Sequence, residues 1–350
     1  MDHARFADRE ACGVVDVRHG PEALEALSGD GFWAVVATFE GDVTAVRFEH
    51  VTKQPYAATP DDARRPARAV GWRPLDRRWH SSLDRTAYVE AVKQVQRRIA
   101  AGTVYQVNVC RVLTHELEED ADLDALDALL RQGNPAPHGA RIRCTAAGID
   151  VVSASPELYL SRDGRRLVTR PIKGTATTAA TMLPKDHAEN VMIVDLMRND
   201  LSGVCEPGTV SVDALCEIEE HPGLVHLVST VSGRLRDDAR WADVFAAAYP
   251  PGSVSGAPKS SALTAIRDLE TAPRGPYCGA VGWVDADADE AVLAVGIRTF
   301  WAERDDTGRR LLRFGTGAGI TWHSDPEGEW AETELKAARL IGLAAGSVTP

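Results

Sequence analysis

Lysine is scarce in this chain. Of 39 basic residues only six are lysine: Lys53, Lys93, Lys173, Lys185, Lys259 and Lys336. Where any positive charge serves, the chain uses arginine. A lysine that remains marks a place where a compact ammonium or a nucleophilic amine is needed. Positive charge as a whole is also in deficit, with 51 acidic residues and a net charge of −12. Such a surface repels phosphate backbones and anionic lipid, which argues against nucleic acid or a membrane surface as the main partner. No apolar run reaches the about 18 residues of a membrane span. The opening stretch MDHARFADREACG is charged throughout and reads as no secretory signal. The six cysteines (12, 110, 144, 205, 216 and 278) form no C-x-x-C pair. They read as reduced thiols of a cytoplasmic protein, not as a disulfide framework or zinc site. Internal repeats and low-complexity tracts are missing as well.

What is present is ordinary globular composition, 44% hydrophobic and 26% charged over 350 residues. That length supports one large core or two closely packed subdomains. Residues 1–50 read as short strands and a helix, with Phe32 to Thr38 and Val43 to Phe48 as a hairpin pair. Residues 53–80 mix Pro, Arg and Trp without period and are the best linker candidate. Asp84 can N-cap a helix with Tyr88, Val92, Val95 and Ile99 on one face. Val104 to Val112 alternates like a strand. It is either half-exposed, or it turns Gln106 and Asn108 into a polar cavity. Strand signals follow at 141–147, 151–154 and 158–169, then a helix over 185–200, and strands near 209–213 and 226–235. Two helices near 241–248 and up to about Glu270 flank a Pro/Gly-rich loop. Strands near 279–285, 291–299 and 311–315 lead to a Gly turn. A last helix starts behind Asp325-Pro326. Strand runs with interspersed helices, often hairpin-linked, predict an α+β fold with large antiparallel sheets.

Four stretches can carry chemistry. Ser155-Pro156-Glu157 joins two strands, and a lone carboxylate there is most simply a solvated turn residue. Pro171-Ile172-Lys173-Gly174-Thr175 fixes the backbone around a rare lysine. From this stretch alone, both a surface lysine and a desolvated nucleophile remain open. On helix 186–201, Glu189 shares a face with Ile193 and Leu196. Near the end of the chain Glu329, Glu332 and Lys336 share another helix. Glu332 and Lys336 are spaced as a surface ion pair, or Glu189 and Glu332 jointly hold a hard cation. The loop Pro251 to Ser260 invites a phosphate-loop reading but lacks the contiguous Gly-Lys-Ser/Thr. In Gly315-Thr316-Gly317-Ala318-Gly319, small residues would let backbone N–H groups approach an anion. Arg298, at the end of AVLAVGIRT, and Lys336 can grip a carboxylate. His226 is most simply a packed or surface histidine.

Taken in order, YQVNVCR, NPAPHGA, SASPELYL, PIKGT, DHAENVMIVDLMRNDL, HLVSTVSG, PPGSVSGAPK, RGPYCGAVGW, IRT and GAGITWHSDPEGEWAETELKA resemble the chorismate-utilising enzymes. That family includes anthranilate synthase component I, aminodeoxychorismate synthase component I, isochorismate synthase and salicylate synthase. The resemblance covers roughly residues 84–345. It implies the anthranilate synthase component I-like fold, with helices flanking large antiparallel sheets around a central cleft. Residues 81–350 would form the chorismate-binding domain and 1–80 a short N-terminal region integral to it. It implies Mg²⁺ held by Glu189 and Glu332, with Glu329 contributing through water. Arg298, Tyr277, Lys336 and the Gly317-Ala318-Gly319 backbone fall at carboxylate-binding positions. Thr175, Gln106 and Asn108 complete the expected substrate-binding set.

Glu157 falls at the position of the general acid. Isochorismate and salicylate synthases resemble each other in carrying a water-activating Lys where this chain has Gln106. Lys173 and the Y-Q-V-N stretch resemble the aminodeoxychorismate synthases, in which the lysine adds to C2 as the C4 hydroxyl leaves and ammonia then attacks C4. The expected product is 4-amino-4-deoxychorismate, the p-aminobenzoate and folate precursor. The alternatives are anthranilate formation, with His226 assisting pyruvate loss, or a catalytically silent chorismate-binding subunit. No G-x-C-x-G glutaminase nucleophile occurs, so a separate glutamine amidotransferase is expected to supply ammonia.

Overall fold

The computed structural model describes residues 1–53, 71–76, 78–182, 184–221 and 224–346. Most of the linker candidate at 53–80 lies outside the described residues. The strands are β1 (His3–Phe6), β2 (Arg9–His19), β3 (Phe32–Ala37), β4 (Val43–Lys53), β5 (His80–Ser81), β6 (Gln106–Glu116), β7 (His138–Cys144), β8 (Ile149–Ser155) and β9 (Leu158–Asp163). They continue as β10 (Arg166–Arg170), β11 (Ile172–Ala176), β12 (Ser211–His221), β13 (Leu224–Arg234), β14 (Gly256–Ala257), β15 (Ala280–Asp285), β16 (Glu290–Val295), β17 (Thr299–Arg304) and β18 (Arg310–Ile320). The α-helices are α1 (Gly20–Ala26), α2 (Arg85–Ala100), α3 (Leu123–Gly133), α4 (Pro184–Ser202), α5 (Trp241–Ala248), α6 (Lys259–Leu269) and α7 (Pro326–Ala344).

Local chemistry accounts for the helix starts. The Asp84 carboxylate accepts from the Ala87 N–H at 2.8 Å and opens α2, which buries Tyr88, Val92 and Val95. The Asp325 carboxylate does the same for the Gly328 N–H, with Pro326 at the first helical position.

The strands pair antiparallel into one continuous sheet. One arm runs β12–β13–β10–β9–β16–β15–β3–β4–β2, with β11 also on β13. From β2 it passes through β1 into the second arm, β7–β8–β17–β18–β6, ending on β14 and β5. The N-terminal strands thus sit in the middle of the sheet.

AVLAVGIRT is not one strand. β16 ends at Val295 and β17 begins at Thr299, because the backbone turns between them. Gly296 lies where a Cβ would fall 2.0 Å from the Pro276 carbonyl oxygen, and Arg298 adopts a left-handed φ of 53°. The chain thereby leaves one arm and enters the other.

Nor is Gly315 to Gly319 a turn. These residues lie inside β18, paired with β6 from Gly315↔Val112 to Gly319↔Asn108. The small residues answer a packing demand: a Cβ on Gly315 would fall 2.0 Å from the Tyr277 ring. β6 is buried on both faces from Gln106 to Leu113, not half-exposed, because α2 and α6 cover it. The expected short strand at 209–213 is the start of the eleven-residue β12.

Apolar side chains form two cores. The larger includes Trp33, Val35, Val46, Tyr88, Val107, Ile193, Phe245, Ile266 and Trp283. The smaller lies between α3, α7 and the β8–β17–β18 strands, around Leu126, Phe300, Phe314 and Leu340. All six cysteines are free thiols. Among the described residues no helix is long and apolar enough to cross a membrane.

His138, which opens β7, is held at about 4, below the usual histidine value, first by burial and then by the nearby Arg170. As pH falls, the unfolded chain takes up this proton first. The folded state therefore loses stability between about 6.5 and 4. His138→Gln should flatten that part of the stability–pH profile by on the order of 2 kcal/mol, measured by urea unfolding at several pH values. An unchanged slope would contradict the assignment.

Candidate functional site

The two ends of the sheet meet at the loop 249–258. β11, from one end, carries Lys173. A register shift between Ile172 and Thr175 in its pairing with β13 re-aims the segment, and Gly174 takes φ +81°. Gly174 also lets β11 approach the first turn of α4, since a Cβ would fall 2.7 Å from both Asp186 and Met182 side chains. The Lys173 ammonium donates to the Ser253 carbonyl oxygen at 2.7 Å. From the other end, β6 sends the Asn108 side-chain amide to the same oxygen at 3.3 Å. Ser253 thus joins both ends.

Glu157 is not a solvated turn residue. It is 4% exposed. Its backbone N–H donates to Ser155 Oγ at 3.2 Å and its carbonyl accepts from Val295 N at 3.0 Å. Burial raises the Glu157 carboxyl above its usual range, while a hydrogen bond from the Ser253 side chain and the charge of Lys173 act against the rise. Burial likewise holds the Lys173 ammonium below the usual lysine value, against Glu189 and Glu157, which favour the charge; Lys336 opposes it. A partly buried amine beside a carboxyl inclined to keep its proton is a nucleophile next to an acid.

Glu189 and Glu332 approach from α4 and α7. Burial raises Glu189, helped by Asp186 and Glu332 and opposed by Lys173 and Lys185. Burial also raises Glu329, with Glu332 adding to the rise. Burial works to raise Glu332 as well, but Lys336 outweighs it and holds the carboxyl below its usual range. Lys336 Nζ lies 2.7 Å from Glu332 Oε1 and donates to the Gly317 carbonyl at 3.0 Å. The ion pair suggested by the i, i+4 spacing is therefore formed, and it reaches into the cleft. Among the described residues no three or more His, Cys, Asp or Glu close into a metal cage. Hard carboxylate oxygens from two helices, with Glu332 raising both Glu189 and Glu329, nevertheless fit the chemistry of Mg²⁺. That ion commonly takes one or two protein carboxylates and completes its shell with water and an anionic substrate.

The remaining expected residues make contacts of their own. Thr175 Oγ1 shares a hydrogen bond with His226 Nδ1 at 2.9 Å. Arg298 donates to Asn134 Oδ1 at 3.2 Å. Tyr277 is buried with its ring against Gly315, beneath the Gly317-Ala318-Gly319 strand. From Gly315 onward β18 has, among the described residues, a strand neighbour on the β6 side and none on its other edge. Gln106 is fully buried beside Gly319, and neither amide atom has a hydrogen-bond partner among the described residues.

Four residues escaped the sequence reading. Ser253 lies in PPGSVSGAPK, a family motif in which no residue had been given a role. Arg274 and Glu270 form a buried ion pair at 2.6 Å that fastens this loop to β6. Arg274 donates to the carbonyls of Val254 and Asn108, and Glu270 accepts from Cys110 N. Asp200 pairs with Lys259 at 2.6 Å. The scarcity of lysine pointed at Lys259 without giving it a task.

A family model described as chorismate binding enzyme matches residues 37–342. The chain belongs to that family. Within it, the chain is 36% identical over 277 residues to "Anthranilate synthase component 1 3" of Haloarcula marismortui, covering 75% of this chain and 53% of the relative. It is also 36% identical over 276 residues to "Aminodeoxychorismate synthase component 1" of Salmonella typhimurium, covering 75% and 58%. The chain spans about half the length of these curated relatives. The crystal structure of anthranilate synthase component I from Streptococcus pneumoniae shares the fold, with a TM-score of 0.79 at 22% identity over 97% of this chain and 92% of that one. The expected α+β fold with its large antiparallel sheet is therefore the fold of a chorismate-utilising family. Equal identity to two differently named relatives leaves the choice between them to the site.

Burying an amide without a hydrogen-bond partner costs stability. Gln106→Met should raise the melting temperature by a few degrees, corresponding to about 1 kcal/mol. Calorimetry decides it, and a less stable Gln106→Met protein would count against it.

Proposed function

We propose that this chain aminates chorismate at C4 to give 4-amino-4-deoxychorismate, the p-aminobenzoate precursor. The observation that carries the reading is Lys173, held in the cleft at 2.7 Å from the Ser253 carbonyl, beside the buried carboxyl of Glu157. The neutral amine of Lys173 adds to C2 of the ring while Glu157 gives its proton to the departing C4 hydroxyl. Ammonia then attacks C4 and expels the lysine, so nitrogen ends at C4 and Lys173 is regenerated. Arg298, Tyr277, Lys336 and the backbone of Gly317 to Gly319 orient the two carboxylates, with Thr175, Gln106 and Asn108 around the ring. Glu189 and Glu332, with Glu329 through water, would hold Mg²⁺, which when bound supplies positive charge against the ring carboxylate. Gln106 has no basic group with which to activate water, which favours amination over hydroxylation.

Ammonia would come from a glutamine amidotransferase subunit in the cytoplasm. Both relatives described above are named as component 1, and no G-x-C-x-G motif occurs in the chain. In the competing anthranilate reading His226 would assist pyruvate loss, and Lys173 would have no task.

Mass spectrometry of the product from chorismate, Mg²⁺ and an ammonium salt tests the proposal. An aminated product that keeps its enolpyruvyl group supports it; anthranilate with released pyruvate refutes it. Lys173→Ala and Glu157→Gln should each lower turnover by about 10²-fold or more. Removal of Mg²⁺ by EDTA should abolish turnover, and Glu189→Gln should raise the Mg²⁺ concentration needed to restore it.

A further inference from the structure

Lys259 is one of only six lysines, and the reaction above gives it nothing to do. It is the first residue of α6, whose N-cap, Pro258, offers no side-chain hydrogen bond. The unpaired N–H groups of that helix end already present positive charge, so an ammonium there is opposed by the helix. Burial opposes it further and holds it below the usual lysine value. Asp200 is placed with the same disregard for its helix. It lies near the C-terminus of α4, where the aligned backbone dipoles end in negative charge. Its carboxyl is buried and pushed up to about 6.

The two meet at 2.6 Å, and the same ammonium donates to the Ala248 carbonyl at 2.9 Å. Neither residue suits its own helix, and a buried ion pair gives little net stability over well-packed apolar side chains. The arrangement's effect is geometric. Ala248 ends α5 and Lys259 begins α6, so one ammonium ties together both ends of the loop 249–258 and fastens them to α4. Inside that loop Gly252 lies against α4 so closely that a Cβ would fall 2.5 Å from Met197 Cε and 2.6 Å from Leu196 Cδ2. The next residue is Ser253, whose carbonyl holds Lys173 and whose side chain acts against the rise of the Glu157 carboxyl.

We propose that the Asp200–Lys259 pair is a clasp that sets the position of Ser253, which makes both of them positioning residues for Lys173 and Glu157. The kinetic part of this inference rests on the amination reading; the geometric part does not.

The test uses Lys259→Met, Asp200→Asn and the double variant, with thermal melting to establish folding. In each folded variant, Lys173 is labelled by reductive methylation with formaldehyde and a borohydride reagent and followed by peptide mass spectrometry without substrate. With Ser253 displaced, the ammonium loses its acceptor, and Lys173 labelling should rise severalfold. With chorismate and ammonium, kcat should fall by about 10–100-fold while KM stays within about threefold, as a misplacement of up to about 1 Å predicts. Because both residues act through one clasp, the double variant should be no worse than the poorer single variant. Unchanged Lys173 labelling in a folded variant overturns the proposal whatever the turnover, and so do losses in kcat that multiply in the double variant. Labelling needs no turnover, so it decides the clasp even if the product is not 4-amino-4-deoxychorismate. If a single variant fails to fold, the double variant, which leaves no buried charge unpaired, provides the decision.

Discussion

A buried guanidinium holds the two ends of the sheet together. Arg274 is 1% exposed and donates to Val254 O in the loop and to Asn108 O in β6, while Glu270 balances its charge and takes the Cys110 N–H. Its face also lies over the Phe39 ring at 4.1 Å. Each nitrogen of this group faces an acceptor, so moving the loop at Val254 away from Arg274 would cost a bond to a buried charge. The loop in turn presents the Ser253 carbonyl, on which Lys173 rests. The position of the amine therefore depends on a network that touches neither Lys173 nor Glu157 directly.

The electrostatics of the cleft follow from the same closure. Three glutamates and two lysines from β11, α4, α7 and the β8–β9 junction share a partly desolvated space, together with Glu329 at its edge. Burial pushes the glutamates and Lys173 toward their neutral forms, and the opposite charges push back. Glu332, paired to Lys336, is the one driven below its usual range; Glu157, Glu189 and Glu329 are driven above theirs. Carboxyls of one sequence type are thus given different protonation tendencies, which lets one act as an acid while others offer charge to a cation.

Much of this was legible from the chain. Helix starts at Asp84 and Asp325 follow from caps acting over three residues, and the 32–48 hairpin follows from alternation between neighbours. The rarity of lysine marked Lys173, Lys259 and Lys336 before any contact was known. The ten motifs, read in order, carried the family. Local pattern failed where distant strands supply the environment. β6 alternates like a half-exposed strand, yet α2 and α6 cover it. The Gly315 to Gly319 run has turn composition, yet it is a strand whose small residues make room for the Tyr277 ring and the β6 side chains. Arg298 and Gly296 break a strand that the residues alone would continue.

Residue types and their spacing determined the family and most of the helices, though not α3, because these rest on side-chain chemistry or on contacts within a few residues. Tertiary structure alone decided which groups meet. Ser253 gains its place between Lys173 and Glu157, and Asp200 its bond to Lys259, only when sheet ends and helices far apart in the chain close on each other. Burial, which separates the protonation of one glutamate from that of the next, is a property of that closure and of no single segment.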